Sequence, residues 1–297
     1  MSELHIDALL PQEMAARAEF LGVRKAEMPF LKMIMLAVLA GAFISLGAIF
    51  ATTVSAGGMT FTPDGAGTAY ATALPYGVTR LLAGLVFSLG LILVVVGGAE
   101  LFTGNNLIVM AWASGKVTGR AVLRNWAIVY FGNFVGSIGT VILMFFTRQY
   151  TFGSNAVGIS ALKTGVAKSD LTFLQAIALG ILCNALVCLA VWLTFSARST
   201  LDKILSIVFP ISAFVAAGFE HSIANMYFIP YALFIKMFDP AFTASVAEKV
   251  PGLEKLTWQA FWVGNLLPVT FGNIIGGAVL VAAVYWAIYL RPTETSS

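Results

Sequence analysis

Six apolar stretches dominate the chain: Leu31–Val54, Val78–Ala113, Val122–Phe146, Leu171–Phe195, Ile204–Phe238 and Trp262–Leu290. A helix crossing about 30 Å of hydrocarbon needs roughly 20 apolar residues, and each stretch reaches that length. Helices satisfy every backbone N–H and C=O internally, as a lipid environment demands. Runs of this kind predict an all-α membrane protein with six transmembrane helices. Composition closes off the alternatives. The 297 residues are 59% apolar and 10% charged, against about 25% charged in a soluble domain. Too few charges remain to cover a globular surface, which excludes a soluble enzyme. The net charge of +3 is mild and scattered, unlike the basic stripe of a nucleic-acid binder. Cys183 and Cys188 lie five apart in one apolar run, on different helix faces, and read as buried thiols rather than a disulfide framework.

Loop charge orients the spans. Lys116, Arg120 and Arg124 share one short connection and Arg198 and Lys203 another, whereas residues 55–77 carry no Lys or Arg. The positive-inside rule then places both basic loops and both termini in the cytoplasm, which requires an even number of crossings. Residues 1–30 do not read as a signal peptide, since Glu3 and Asp7 stand where a basic region belongs. From Pro11 a short amphipathic helix is expected, with Met14, Ala18 and Leu21 on one side and Glu13, Arg17 and Arg24 elsewhere. It would lie on the cytoplasmic membrane face, or serve as a plug or as a docking element for a cytoplasmic partner. A channel domain over 31–290 and a short tail over 291–297 complete the division.

The third and sixth spans repeat one another. Asn125-Trp126-Ala127-Ile128-Val129-Tyr130-Phe131-Gly132-Asn133 is followed by Gly136. Asn265-Leu266-Leu267-Pro268-Val269-Thr270-Phe271-Gly272-Asn273 is followed by Gly276. Asn, Val, Phe, Gly, Asn and Gly coincide without a gap. The chain therefore reads as two three-span units, about 31–146 and 171–290. Three is odd, so the second copy enters the membrane from the opposite side. Inverted repeats of this kind build transporters and channels with a site at the midplane. The glycines themselves suit close helix packing.

The second and fifth spans are long and interrupted by polar residues. One reads Gly97-Gly98-Ala99-Glu100-Leu101-Phe102-Thr103-Gly104-Asn105-Asn106, the other Ala216-Ala217-Gly218-Phe219-Glu220-His221-Ser222-Ile223-Ala224-Asn225. A carboxylate at bilayer depth costs about 2.5–3.5 kcal/mol, and non-helical backbone there survives only inside protein or beside water. Both helices are therefore expected to break at the midplane, each starting a new half-helix whose N–H groups converge on an anion site. Glu100 and Glu220 are expected to be structural, capping the freed backbone donors. Thr103 offers a hydroxyl that both donates and accepts. His221 is the one membrane histidine in the sequence, and an intramembrane ionisable group points to function. One histidine without a Cys or His partner makes no metal site, and no cofactor is expected. Nor does a nucleophile–base pair suggest an enzyme, and no Asn-Pro-Ala signature suggests a water or glycerol pore.

Phe219-Glu220-His221-Ser222-Ile223-Ala224-Asn225-Met226, Phe87-Ser88-Leu89-Gly90-Leu91 and Glu100-Leu101-Phe102-Thr103 resemble the formate–nitrite transporter family. The opening Leu9-Leu10-Pro11-Gln12-Glu13-Met14-Ala15 and the stretch Gly272-Asn273-Ile274-Ile275-Gly276-Gly277 are similar too, and the likeness runs over nearly the whole chain, nearest to the formate channels. The resemblance implies an aquaporin-like protomer in a homopentamer of the bacterial inner membrane, passing formate or similar small anions with protons. It matches Thr103 to the family's loop threonine, His221 to its central histidine and Asn184 to an asparagine bonded nearby. It matches Lys168, in the loop before the fourth span, to a vestibule lysine that gathers anions. Phe87, Leu91 and Phe214 match the hydrophobic constrictions. Gly104-Asn105-Asn106 stands where formate channels usually carry small hydroxyl residues, which leaves formate against nitrite open. The long segment from Met59 to Thr72 departs only in an outer loop.

Overall fold

The computed structural model describes residues 8–57, 60–61, 70–71 and 74–292. Among them six helices are long and apolar enough to cross a membrane. Helix α1 (Pro11–Ala26) precedes α2 (Phe30–Ser55) and α3 (Tyr76–Gly97). A short α4 (Val109–Ala113) leads into α5 (Gly119–Phe146). Next come α6 (Ala156–Ser169), α7 (Phe173–Ser196), α8 (Thr200–Ala217), α9 (Ser222–Phe238) and α10 (Pro240–Val246). The last span, α11 (Ala260–Tyr289), winds partly as π-helix over Ala260–Leu266 and Ile275–Ala283. Apart from a two-residue antiparallel pairing of Thr60–Phe61 with Tyr70–Ala71, the described fold is helical. Most of Met59 to Thr72, expected as an outer loop, lies outside the described residues.

The duplication seen in the motifs is a duplication of packing. A Cβ on Gly136 of α5 would stand 1.9 Å from the Val38 carbonyl of α2, and one on Gly276 of α11 would stand 2.1 Å from the Ile181 carbonyl of α7. No side chain fits either crossing, so the glycines let each helix pair touch backbone to backbone.

Both predicted interruptions are present and end the same way. Helix α3 stops at Gly98 (φ 80°) and α8 at Gly218 (φ 77°), each in the left-handed conformation that glycine adopts without a Cβ penalty. Beyond these glycines the two halves differ. After the second interruption α9 runs for 17 residues. After the first comes a 3₁₀ turn, Gly104–Ile108, and the five-residue α4. The expectation of two equivalent half-helices needs this correction: one substantial helix dipole points inward, not two.

Three helices, α1, α6 and the short α10, lie outside the six expected spans. Residues 147–170 fall between the third and fourth expected spans, where Lys168 was expected in a loop, yet they hold α6, and Lys168 lies on its last turn. The expected N-terminal helix is present. Met14, Ala15, Ala18 and Gly22 are buried, packed with Leu107, Met110 and Trp192, while Glu19 pairs with Lys116 and Arg17 donates to the Phe195 carbonyl at 3.2 Å. The apolar side of α1 is covered by the protein itself.

Candidate functional site

Two asparagines of the repeated motif hold the interruptions open. Asn133 donates through Nδ2 to the carbonyls of Ala37 (2.8 Å) and Glu100 (2.9 Å), and its Oδ1 accepts from the Phe102 N–H (3.0 Å). Asn273 repeats the pattern with Gly180 (2.8 Å), Glu220 (2.9 Å) and the Ser222 N–H (2.9 Å). Each ties a helix neighbour to both sides of a break, so that buried backbone polar groups find partners. Sequence carries a signal for this role beyond duplication, since an amide at the same place in two apolar spans asks for a polar partner.

The carboxylates do not cap backbone donors as expected. Glu100 accepts from Lys25 Nζ (2.7 Å) and from Asn105 Nδ2 (2.7 Å), and Asn105 Nδ2 also reaches Asn125 Oδ1 (2.9 Å). Glu220 likewise accepts from Lys168 Nζ (2.7 Å) and Asn225 Nδ2 (2.6 Å), and Asn225 Nδ2 reaches Asn265 Oδ1 (2.7 Å). The physical reason is charge. A buried carboxylate gains most from a cation together with charge-assisted donors, which the lysines and amides provide. The Glu and Asn members of the two clusters are related by the internal repeat, whereas their lysines lie outside it, Lys25 on α1 and Lys168 on α6.

Between the clusters lies the contact of Thr103 and His221. The Thr103 hydroxyl is 3.0 Å from His221 Nε2. His221 is also the N-cap of α9, its Nδ1 accepting from the Ala224 N–H at 3.0 Å. A backbone N–H can only donate, so Nδ1 carries a lone pair; the neutral ring then bears its proton on Nε2 and donates it to Thr103. Asn184 Nδ2 donates to the Thr103 carbonyl (3.3 Å) and the Asn273 carbonyl (2.7 Å), and Cys188 Sγ also reaches the Thr103 carbonyl (3.3 Å). Asn184 thus acts on the threonine's backbone rather than on the histidine. Thr103, Asn184 and His221 are all buried.

Aromatic rings screen this contact. Phe214 stacks on the His221 ring, centroids 5.9 Å apart, and Phe87 meets Phe214 edge-on at 5.7 Å. Leu91, one turn further along α3, is buried as well. A cavity of about 460 Å³ reaches His221, Phe87 and Phe214 and is lined by Arg80, Lys168 and Glu220. On the α1 side a second cavity of about 230 Å³ is lined by Lys25, Leu91, Glu100, Gly104 and Asn105. The three expected constriction residues therefore divide between the cavities. Arg80, which no motif marked, lines the larger one. Among the described residues no group of His, Cys, Asp or Glu is arranged to hold a metal ion.

Six helices long and apolar enough to cross a membrane, with two cavities that share the constriction residues beside a buried threonine and histidine, fit a membrane transport protein. The family follows from sequence: a model of the formate/nitrite transporter family matches residues 12–287, and the chain belongs to that family. It is 45% identical over 289 residues to the formate channel FocA of Escherichia coli (strain K12), covering 97% of both chains. It is 36% identical over 295 residues to a probable formate transporter of Methanothermobacter thermautotrophicus, covering 95% and 97%. Among solved structures it resembles a pentameric formate channel with formate bound (47% identity, TM-score 0.77, 88% of this chain and 98% of that one). An FNT family ion channel is similar at 26% identity and a TM-score of 0.71, covering 95% and 98%.

Proposed function

We propose that the chain is a formate channel, assembled as a homopentamer with one pore per protomer in a bacterial inner membrane, both termini cytoplasmic. The names of its relatives and the pentameric, formate-bound neighbour support the substrate and the assembly. The same likeness to channels supports a conduit and not an enzyme. The exposed side of α1, including Phe20, serves as a docking element for a cytoplasmic partner.

The observation that carries the mechanism is the contact of Thr103 with His221. A bare anion cannot pass Phe87, Leu91 and Phe214 without a large desolvation cost, whereas a neutral acid can. A carboxylic acid of pKa about 4 taking a proton from an imidazolium near 6.5 is uphill by roughly 3.4 kcal/mol in water. Burial offsets that difference, because it penalises an ion pair more than the neutral pair that replaces it.

Lys168 spends one of its three ammonium donors on Glu220 and offers the others to an arriving anion. Thr103, oriented through Asn184, hydrogen-bonds the anion. His221 takes up its second proton at Nδ1, breaking the bond to Ala224. The Nε2 proton then passes to the Thr103 oxygen while the Thr103 hydroxyl proton passes to formate. Neutral acid and neutral imidazole result. The loss of one N-cap bond, about 1 kcal/mol, is small enough to be reversible.

The test is formate flux into proteoliposomes at two pH values, wild type against His221→Phe, with nitrite as competitor. Loss of flux or of its pH dependence in the variant supports proton lending. Unchanged pH-dependent flux overturns it. Strong nitrite flux with little formate uptake would retain the architecture and replace the substrate.

A further inference from the structure

The larger cavity carries a charge that the Lys168–Glu220 pair does not explain. Its ionisable lining consists of Tyr76, Arg80, Lys168, Glu220 and His221. Lys168 and Glu220 cancel at 2.7 Å, and His221 is neutral in the tautomer its two bonds require. Arg80 makes no ion pair among the described residues. Instead its guanidinium grips the end of α8, donating through one terminal nitrogen to the Val215 carbonyl and through Nε to the Ala216 carbonyl at 3.4 Å.

These carbonyls end the helix just before the Gly218 interruption. A helix C-terminus carries about half a negative charge, so a full cation leaves a net positive cavity. The cavity on the α1 side differs: its ionisable lining is the Lys25–Glu100 pair alone, which sums to zero.

We propose that Arg80 supplies the net positive charge of the larger cavity and thereby draws monovalent anions into it from that side of the membrane. The inference rests on the channel reading and assigns a step before the Thr103–His221 contact. Arginine suits the task because its guanidinium stays protonated throughout the working pH range and is fixed in a fork by the two carbonyls. The field it creates is therefore constant in strength and position. Lys168, bound to its carboxylate, acts at close range instead.

The experiment compares wild type, Arg80→Gln and Arg80→Lys in proteoliposomes, measuring formate flux against formate concentration at low and high ionic strength. The glutamine amide can still donate to the α8 carbonyls but carries no charge. At about 0.01 M salt, where charges act over about 30 Å, Arg80→Gln should raise the half-saturating formate concentration about threefold. Its maximal flux should remain unchanged. At about 1 M salt, with screening over about 3 Å, the difference should vanish. Arg80→Lys should behave as wild type.

Equal half-saturation and equal salt response in Arg80→Gln would overturn the inference while leaving the channel intact. So would a drop in maximal flux and thermal stability that is the same at both salt concentrations, the signature of a purely structural helix cap. Wild-type protein that carries no formate would remove the channel reading, and this inference with it.

Discussion

The Thr103 hydroxyl and His221 Nε2 meet at 3.0 Å across the two halves of the duplicated chain, yet neither residue is matched by its repeat partner. Aligning Glu100 with Glu220 and Asn105 with Asn225 sets Leu101 against His221 and Thr103 against Ile223. The paired Glu and Asn members of the clusters and the paired Asn133 and Asn273 form a symmetric frame. The threonine–histidine contact forms where that symmetry fails. Duplication makes the scaffold, and divergence within it makes the site.

His221 has two duties, capping α9 through Nδ1 and donating to Thr103 through Nε2, and substitutions can separate them. Asparagine is a strong N-cap whose oxygen can accept the Ala224 N–H, whereas phenylalanine leaves that buried donor without a partner. His221→Asn should therefore be more stable than His221→Phe by about 1 kcal/mol. Thermal unfolding of the purified variants in one detergent measures the difference. Equal stability would mean that the cap contributes nothing to α9.

The two ion pairs share geometry but not environment. Both carboxylates are buried, while the Lys168 side chain is 15% exposed and that of Lys25 is 32% exposed. Removing one partner of a buried pair costs about 3–5 kcal/mol, because the other charge is stranded; water reaching the vacated Lys25 position would soften that cost. Lys168→Met should thus destabilise more than Lys25→Met. Adding Glu220→Gln to Lys168→Met should recover part of the loss. The ranking and the recovery can both be read from unfolding midpoints, and a double variant no better than the single would count against the stranded-charge argument.

Spans, duplication and both interruptions were legible in the sequence because each rests on a local signal: run length, an ungapped motif, or a polar break with glycine. Helix α6 was not, since residues 156–169 are short, only moderately apolar and rich in small residues, and length was the criterion for a span. The partners of Glu100 and Glu220 were also hidden. Lys25 is 75 residues from its carboxylate and Lys168 is 52 residues from its own, and no periodicity encodes such distances. Arg80 left no signal for a similar reason, because its hydrogen-bond partners lie 135 and 136 residues away. Residue type betrayed the buried histidine and threonine; their contact is tertiary.

Glycine-to-alanine substitutions should divide by location. In an open helical position alanine is favoured by about 1 kcal/mol. Gly139 of α5 has nothing within 4 Å of an added Cβ, so Gly139→Ala should be neutral or slightly stabilising. At Gly136 and Gly276 the same methyl would meet a carbonyl oxygen at 1.9 and 2.1 Å. Backbone cannot move aside as a flexible side chain would, so both variants should lose folded protein. Size-exclusion profiles and unfolding midpoints of the three variants provide the check; a normal profile for Gly136→Ala would show that α2 and α5 separate more easily than this packing implies.

Asp239, between α9 and α10, links stability to pH. It caps α10, accepting from the Phe242 N–H at 3.0 Å and from the Tyr150 hydroxyl at 2.8 Å. Those bonds, the backbone one foremost, hold its carboxyl below the ordinary carboxylate range, against a smaller opposing effect of burial. A group whose pKa falls on folding contributes stability that is present above its unfolded value, about 3.9, and is lost as pH falls through the folded value. Asp239→Asn keeps an acceptor for the Phe242 N–H but no charge to lose. Wild type should therefore be more stable than Asp239→Asn at pH 7, with the gap narrowing steadily once the pH drops below about 4. Comparing unfolding midpoints of the pair at each pH cancels the titration of every other carboxylate. A gap that stays constant into acid would mean that the bonds to Phe242 and Tyr150 do not distinguish the charged from the neutral form.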